Sequence, residues 1–182
     1  EWWYYTGHLG AADGRRFGFE AVVFRAERGG LPVTWASHLA LTDEAGDRFL
    51  YGQRSEIGAQ VDRSPRDAGG TQTGFALAIT GFDPASAESL TRDPWVIAGS
   101  GGVDFIRAGL SPGEAAAAGG GFGLGLDLRA VKPPALHGEI GWIDFVDAGS
   151  SYYYSRTRMA AAGTLTLDGE GFEPTNTRRG LV

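Results

Sequence analysis

The chain has 182 residues, a formal charge of −6 and a pI near 5.0. That is long enough for one domain with a substantial core, and its scattered basic residues exclude a phosphate-binding nucleic-acid surface. There is no cysteine, which excludes disulfides, thiolate-held zinc and a thiol nucleophile, and the 30 glycines among many aromatics suit short strands and tight turns rather than long helices.

Residues 1–9 carry four adjacent aromatics. As an extended strand they place Trp2, Tyr4, Thr6 and His8 on one face and Glu1, Trp3, Tyr5, Gly7 and Leu9 on the other, because side chains alternate. Both faces are then aromatic, so both must be covered or one must line a cavity. Period-two patterns follow in residues 17–24, 34–42, 49–57, 75–79, 95–98, 103–107, 122–129, 151–159 and 164–167, about ten strands in all. Asp13-Gly14, Gly46-Asp47 and Asp168-Gly169 supply turn residues tolerant of positive φ, which predicts hairpins. Residues 63–70 and 84–93 read as longer loops, the second with a helical turn at 85–90. The four-alanine run within residues 111–121 is too short for a stable helix alone.

So many short antiparallel strands need their edges managed, and closure into a barrel does this completely, with a sandwich as the competitor. A barrel of about eight strands or more is filled by side chains or holds one small ligand, and Ala36, Ala40, Gly123 and Gly125 are the small candidates for its interior. No apolar run approaches the roughly 20 residues that span a bilayer, which predicts a soluble chain. The chain starts directly on a strand pattern, with no charged and apolar leader.

The chemistry-bearing residues are dispersed. His8, His38 and His137 each lie on or beside a strand pattern, but no two stand at metal-ligand spacing, so neither a metal site nor a cofactor is expected. Ala98-Gly99-Ser100-Gly101-Gly102 superficially resembles a nucleophile elbow, yet no helix follows Gly102 and a plain loop is favoured. Nucleotide-binding glycine patterns are absent. Candidate acids are Glu20, Asp43, Glu139 and Asp144; Glu20 shares the face of Val22 and Phe24, where burial would raise its pKa. Residues 151–159 form a second aromatic pattern with Tyr152, Tyr154, Arg156 and Arg158 on one face, suited to stacking or to holding a ligand.

Several separated blocks together resemble the hydroxyneurosporene synthase family of carotenoid hydratases and AttH-like proteins. They are residues 1–9, the Phe17-Gly18-Phe19-Glu20 block leading to Phe24-Arg25, and residues 37–43. Residues 132–141, the Tyr152-Tyr153-Tyr154-Ser155-Arg156-Thr157-Arg158 run and Gly163-Thr164-Leu165 complete the set. The resemblance covers residues 1–169 and implies an all-β, antiparallel calycin or lipocalin-like β-barrel of 8–10 strands with little helix, as a single domain over residues 1–182. It departs from the family at Glu20, where relatives carry Gln, at Gly141-Trp142-Ile143-Asp144, and in residues 170–182, an atypical tail that suggests truncation before a second lipocalin-like barrel. An exported, periplasmic or secreted protein is implied.

The activity the resemblance implies is hydration of a C=C bond in a hydrophobic isoprenoid or lipid-like molecule. Adding water to an alkene requires protonating carbon, hence an acid held neutral and a surface that stabilises a carbocation. Under this reading Glu20 or Asp43 donates the proton and His38 or His137 positions or deprotonates water. Trp3, Tyr5, His8, Tyr152 and Tyr154 line the ligand site, and Arg158 tunes it. The rival readings are a non-catalytic carrier of a hydrophobic ligand, and a secreted hydrolase, as some relatives are labelled.

Overall fold

The computed structural model describes residues 1–83, 88–90, 92–146 and 149–174. Four long strands come first: β1 (Trp2–Gly10), β2 (Arg16–Ala26), β3 (Thr34–Asp43) and β4 (Arg48–Ile57), paired antiparallel as a four-stranded meander. β5 (Phe75–Ile79), a short pair β6 (Phe82–Asp83) and β7 (Glu88–Ser89), β8 (Trp95–Ser100) and β9 (Val103–Gly109) follow. Next come a helix α1 (Pro112–Ala118) and β10 (Phe122–Ala130). Two small hairpin pairs come from β11 (Ala135–Leu136), β12 (Trp142–Asp144), β13 (Ser150–Tyr152) and β14 (Tyr154–Ser155), before β15 (Met159–Leu167) and β16 (Glu170–Phe172).

The second large sheet runs β16-β15-β10-β9-β8-β5, and every ladder in both sheets is antiparallel. Alternation decides which side chains go inward: Tyr5, Leu9, Phe17, Phe19, Trp35 and Leu39 from the first sheet bury with Ile97, Ile106, Leu124, Leu126 and Leu165 from the second. Ala36, Gly123 and Gly125 lie out of phase with the buried Trp35, Leu124 and Leu126, so they do not hollow out the interior.

The chain is all-β and antiparallel as expected, and among the described residues its long strands form two sheets, four- and six-stranded, with no ladder closing them into the expected barrel. Between them the described residues show one bridge near β4, Asp62 to Leu77, and β1 ends the first sheet as an edge strand. Residues 131–158 explain the gap. The Val131 N–H donates to Arg158 at 3.2 Å, and the chain between them pairs with itself, β11 with β14 and β12 with β13, rather than with β1. The unbroken strand expected over residues 151–159 is therefore interrupted, and β15 begins only at Met159.

The hairpin between β15 and β16 turns on Asp168 and Gly169, both at positive φ (50° and 86°), the geometry that two-residue hairpins favour. The helical turn expected at residues 85–90 lies mostly outside the described residues, and Glu88–Ser89 is strand. The alanine run, in contrast, does form α1. Ser111 and Glu114 make a capping box, Gly119 closes the helix at φ 77°, and the Glu114 carboxylate takes a two-pronged contact from the buried Arg54 at 2.9 Å on each oxygen. Tertiary anchoring supplies what seven residues cannot supply alone.

Candidate functional site

A cleft of about 930 Å³ lies along the free edge of β1 and is closed on its far side by the 142–157 excursion. Because it follows an edge, it meets both faces of the strand, so Trp2 and Tyr4 line it together with Trp3 and Tyr5. Phe75 from β5 packs on Trp3 with ring centroids 6.3 Å apart, and Tyr153 meets Trp2 edge-on at 5.6 Å. Trp142, Phe145, Tyr152 and Tyr154 complete an aromatic wall, with Ser150, Ser151 and Ser155 between them.

One polar group of residues sits among these rings. Asp104, on β9 in phase with the buried Ile106, is 2% exposed. Its Oδ2 accepts a 2.8 Å hydrogen bond from the Tyr5 hydroxyl, and Arg156 Nη1 lies 2.8 and 2.7 Å from the two carboxylate oxygens. Burial, reinforced by the Asp104 charge, holds the Tyr5 phenol above its ordinary range. Burial opposes the charged form of Arg156, but the adjacent carboxylate outweighs it and raises the guanidinium further. All three side-chain hydrogen bonds at Asp104 among the described residues are donated to it, so both of its oxygens are already engaged as acceptors. Thr157, also in the lining, has a buried hydroxyl oxygen with no hydrogen-bond partner among the described residues.

The expected site residues divide. Trp3, Tyr5, Tyr152 and Tyr154 line the cleft. His8 does not: its ring lies on the outer face of β1, 3.7 Å from Glu44, with 62% of the side chain exposed. Arg158 is exposed beside the start of β15, whereas Arg156 reaches the cleft, because the interrupted strand no longer keeps the two arginines on one face.

The four expected catalytic residues do not converge there. Glu20 sits on the outer face of the four-stranded sheet, half-buried, and accepts a 3.2 Å hydrogen bond from Tyr4. His38 shares that face, edge-on to Phe24 and Tyr51 at 5.6 Å each. Asp43 is buried at the β3–β4 turn, where Oδ1 accepts from the N–H groups of Ala45 and Gly46 at 3.2 and 3.1 Å. It pairs with Phe17, which pairs with Leu9, at the opposite end of β1 from the cleft. His137 comes nearest: its ring stacks on Tyr153 at 3.8 Å, and Nε2 is 2.8 Å from the Ser155 hydroxyl, behind the cleft wall. Among the described residues, no group of three or more histidines and carboxylates could hold a metal ion.

Sequence reading missed Asp104 and Thr157. A signal for Asp104 existed, since alternation puts it in phase with Ile106, but Val103 and Phe105 make the other face look like the apolar one.

Comparison with known proteins agrees with this architecture. The family model described as AttH-like matches residues 1–177. A crystal structure from Nitrosomonas europaea, provisionally assigned as an AttH, superposes with a TM-score of 0.64 at 23% identity. The match covers 96% of this chain and 47% of that one, so this chain spans about half the length of that protein. No curated protein matches the chain. With the family model covering nearly its whole length, the chain belongs to the AttH-like family.

Proposed function

We propose that this domain binds an isoprenoid or lipid-like molecule in the cleft along β1. The observation that carries the reading is the cleft itself: about 930 Å³, walled by tryptophan and tyrosine rings, with its buried polar groups confined to one place. Small-ligand sites are of this size and kind, mostly apolar with a few fixed polar groups. The same reading treats the domain as one part of an exported protein that works with a second lipocalin-like domain, in line with its covering 47% of its structural relative.

Hydration of a C=C bond in the bound ligand is the second reading. It is favoured by one contact, the stacking of His137 at 3.8 Å on Tyr153, a residue of the cleft lining, which puts an imidazole one ring away from the ligand site. Asp104 is engaged by Arg156 and Tyr5, and the other carboxylate in the lining, Glu1, is met by Arg25 at 3.0 Å. Native mass spectrometry after incubation with farnesene, farnesol and a C18 fatty acid separates the readings. Retained, unchanged ligand is the result expected of a binding domain, and a product heavier by one water establishes hydration. A chain that retains none of them contradicts both.

A further inference from the structure

We infer that the cleft selects an apolar chain ending in one uncharged oxygen, a hydroxyl or a carbonyl, at the point that reaches Arg156; this selection rests on the apolar-ligand reading above. Asp104 occupies only Nη1 of the guanidinium, and Nε and Nη2 have no partner among the described residues. Arg156 lines the cleft and keeps 24% of its side chain accessible, so a ligand in the cleft can meet this guanidinium. A guanidinium has donors and no acceptor, so what meets it must accept. A pure hydrocarbon lying over it would strip water from those N–H groups and leave them unpaired, which costs binding free energy.

Charge decides the kind of acceptor. Arg156 and Asp104 cancel one another, and Tyr5 is held neutral between them. The remaining charged side chain in the lining, Glu1, is met by Arg25 at 3.0 Å. Among the described residues the cleft lining thus offers no uncompensated cationic side chain. A carboxylate head would bring an unbalanced negative charge into an apolar space beside Asp104, whereas a hydroxyl or carbonyl takes the same hydrogen bonds without that cost.

Farnesene, farnesol, farnesal and farnesoic acid share one isoprenoid chain and differ at its end. Titrated against tryptophan emission at neutral pH, farnesol and farnesal should bind about tenfold more tightly than farnesene, and farnesoic acid no more tightly than farnesol. In the double variant Arg156→Met with Asp104→Asn, both charges leave together and an amide remains to accept from Tyr5. There the advantage over farnesene should vanish, with farnesene binding more tightly than it does to the unaltered protein because no guanidinium N–H is left unpaired beneath it. Circular dichroism checks that the variant folds, and if it does not, the head-group series on the unaltered protein still decides. Equal affinity for all four molecules, a tenfold preference for farnesoic acid, or an oxygen preference that survives in the folded double variant overturns the selection and leaves the apolar cleft standing. Binding of none of them overturns the apolar-ligand reading itself, and the selection with it.

Discussion

The Tyr5 hydroxyl donates a 2.8 Å hydrogen bond to Asp104, 99 residues further along the chain and on the opposite sheet. This bond joins the edge strand β1 to β9 beneath the cleft, and Arg156 ties the excursion to the same carboxylate. Tyr5→Phe removes one donor but leaves the ion pair, and should cost about 1–2 kcal/mol of stability in urea unfolding. Asp104→Ala leaves both Tyr5 and Arg156 without their partner and should cost more than Tyr5→Phe. The reverse order would show that the three groups do not act together.

Acid should destabilise the fold through Glu114. Burial by itself raises this carboxyl, yet hydrogen bonds from Arg54 and from Ser111 bring it down to about 2 in the folded chain. A folded-state pKa below the unfolded one means that the unfolded state binds the extra proton. The contribution is therefore fully present above the unfolded value of 4.5 and is lost as pH falls toward 2. Glu114→Gln should be less stable at neutral pH and should lose less stability between pH 5 and pH 2, about the window the shift defines. A parallel decline in both proteins would contradict the assignment.

The outer-face residues should be dispensable for the cleft. Glu20→Gln and His38→Ala alter the Tyr4, Phe24 and Tyr51 contacts and should leave farnesol affinity within about twofold of the original, a change of under 1 kcal/mol. Asp43→Ala should cost about 1–2 kcal/mol of stability, because two turn N–H groups lose their acceptor, again without loss of affinity. A tenfold loss of binding in a folded Glu20 or His38 variant would reinstate those residues in the site.

Gly163 lies inside β15, paired with Leu126, at φ 146°, and a Cβ there would run into the carbonyl oxygen of Gly125 on β10. Gly163→Ala therefore combines backbone strain with a ladder clash and should cost about 2–3 kcal/mol, read as a lowered urea midpoint. An unchanged midpoint would mean that the ladder yields at this position.

Strand patterning was legible because a half-buried strand writes its alternation into the sequence, as Phe17, Phe19 and Ala21 or Leu124, Leu126 and Leu128 do. Both faces of β1 were likewise readable, and Trp3, Tyr5, Tyr152 and Tyr154 do line the cleft. What alternation cannot supply is where a strand stops pairing. The break at Tyr153, whose N–H donates to Gly141 at 2.6 Å, depends on partners supplied by residues 135–144. That break sends Arg156 rather than Arg158 into the cleft and, among the described residues, leaves β1 at the edge of its sheet. Helix α1 was missed for a related reason: its stability comes from Arg54, about sixty residues earlier, and not from its own alanines.

The five tryptophans allow the most direct test. Trp2, Trp3 and Trp142 line the cleft, while the Trp95 indole N–H is tied to Gly109 at 2.7 Å in the core. Titrating the ¹⁵N-labelled chain with farnesol and following the indole N–H resonances should move the signals of Trp2, Trp3 and Trp142 saturably and together, with Trp95 unmoved. Unshifted cleft indoles at saturating farnesol, or shifts spread evenly over all five, would contradict a ligand site along β1.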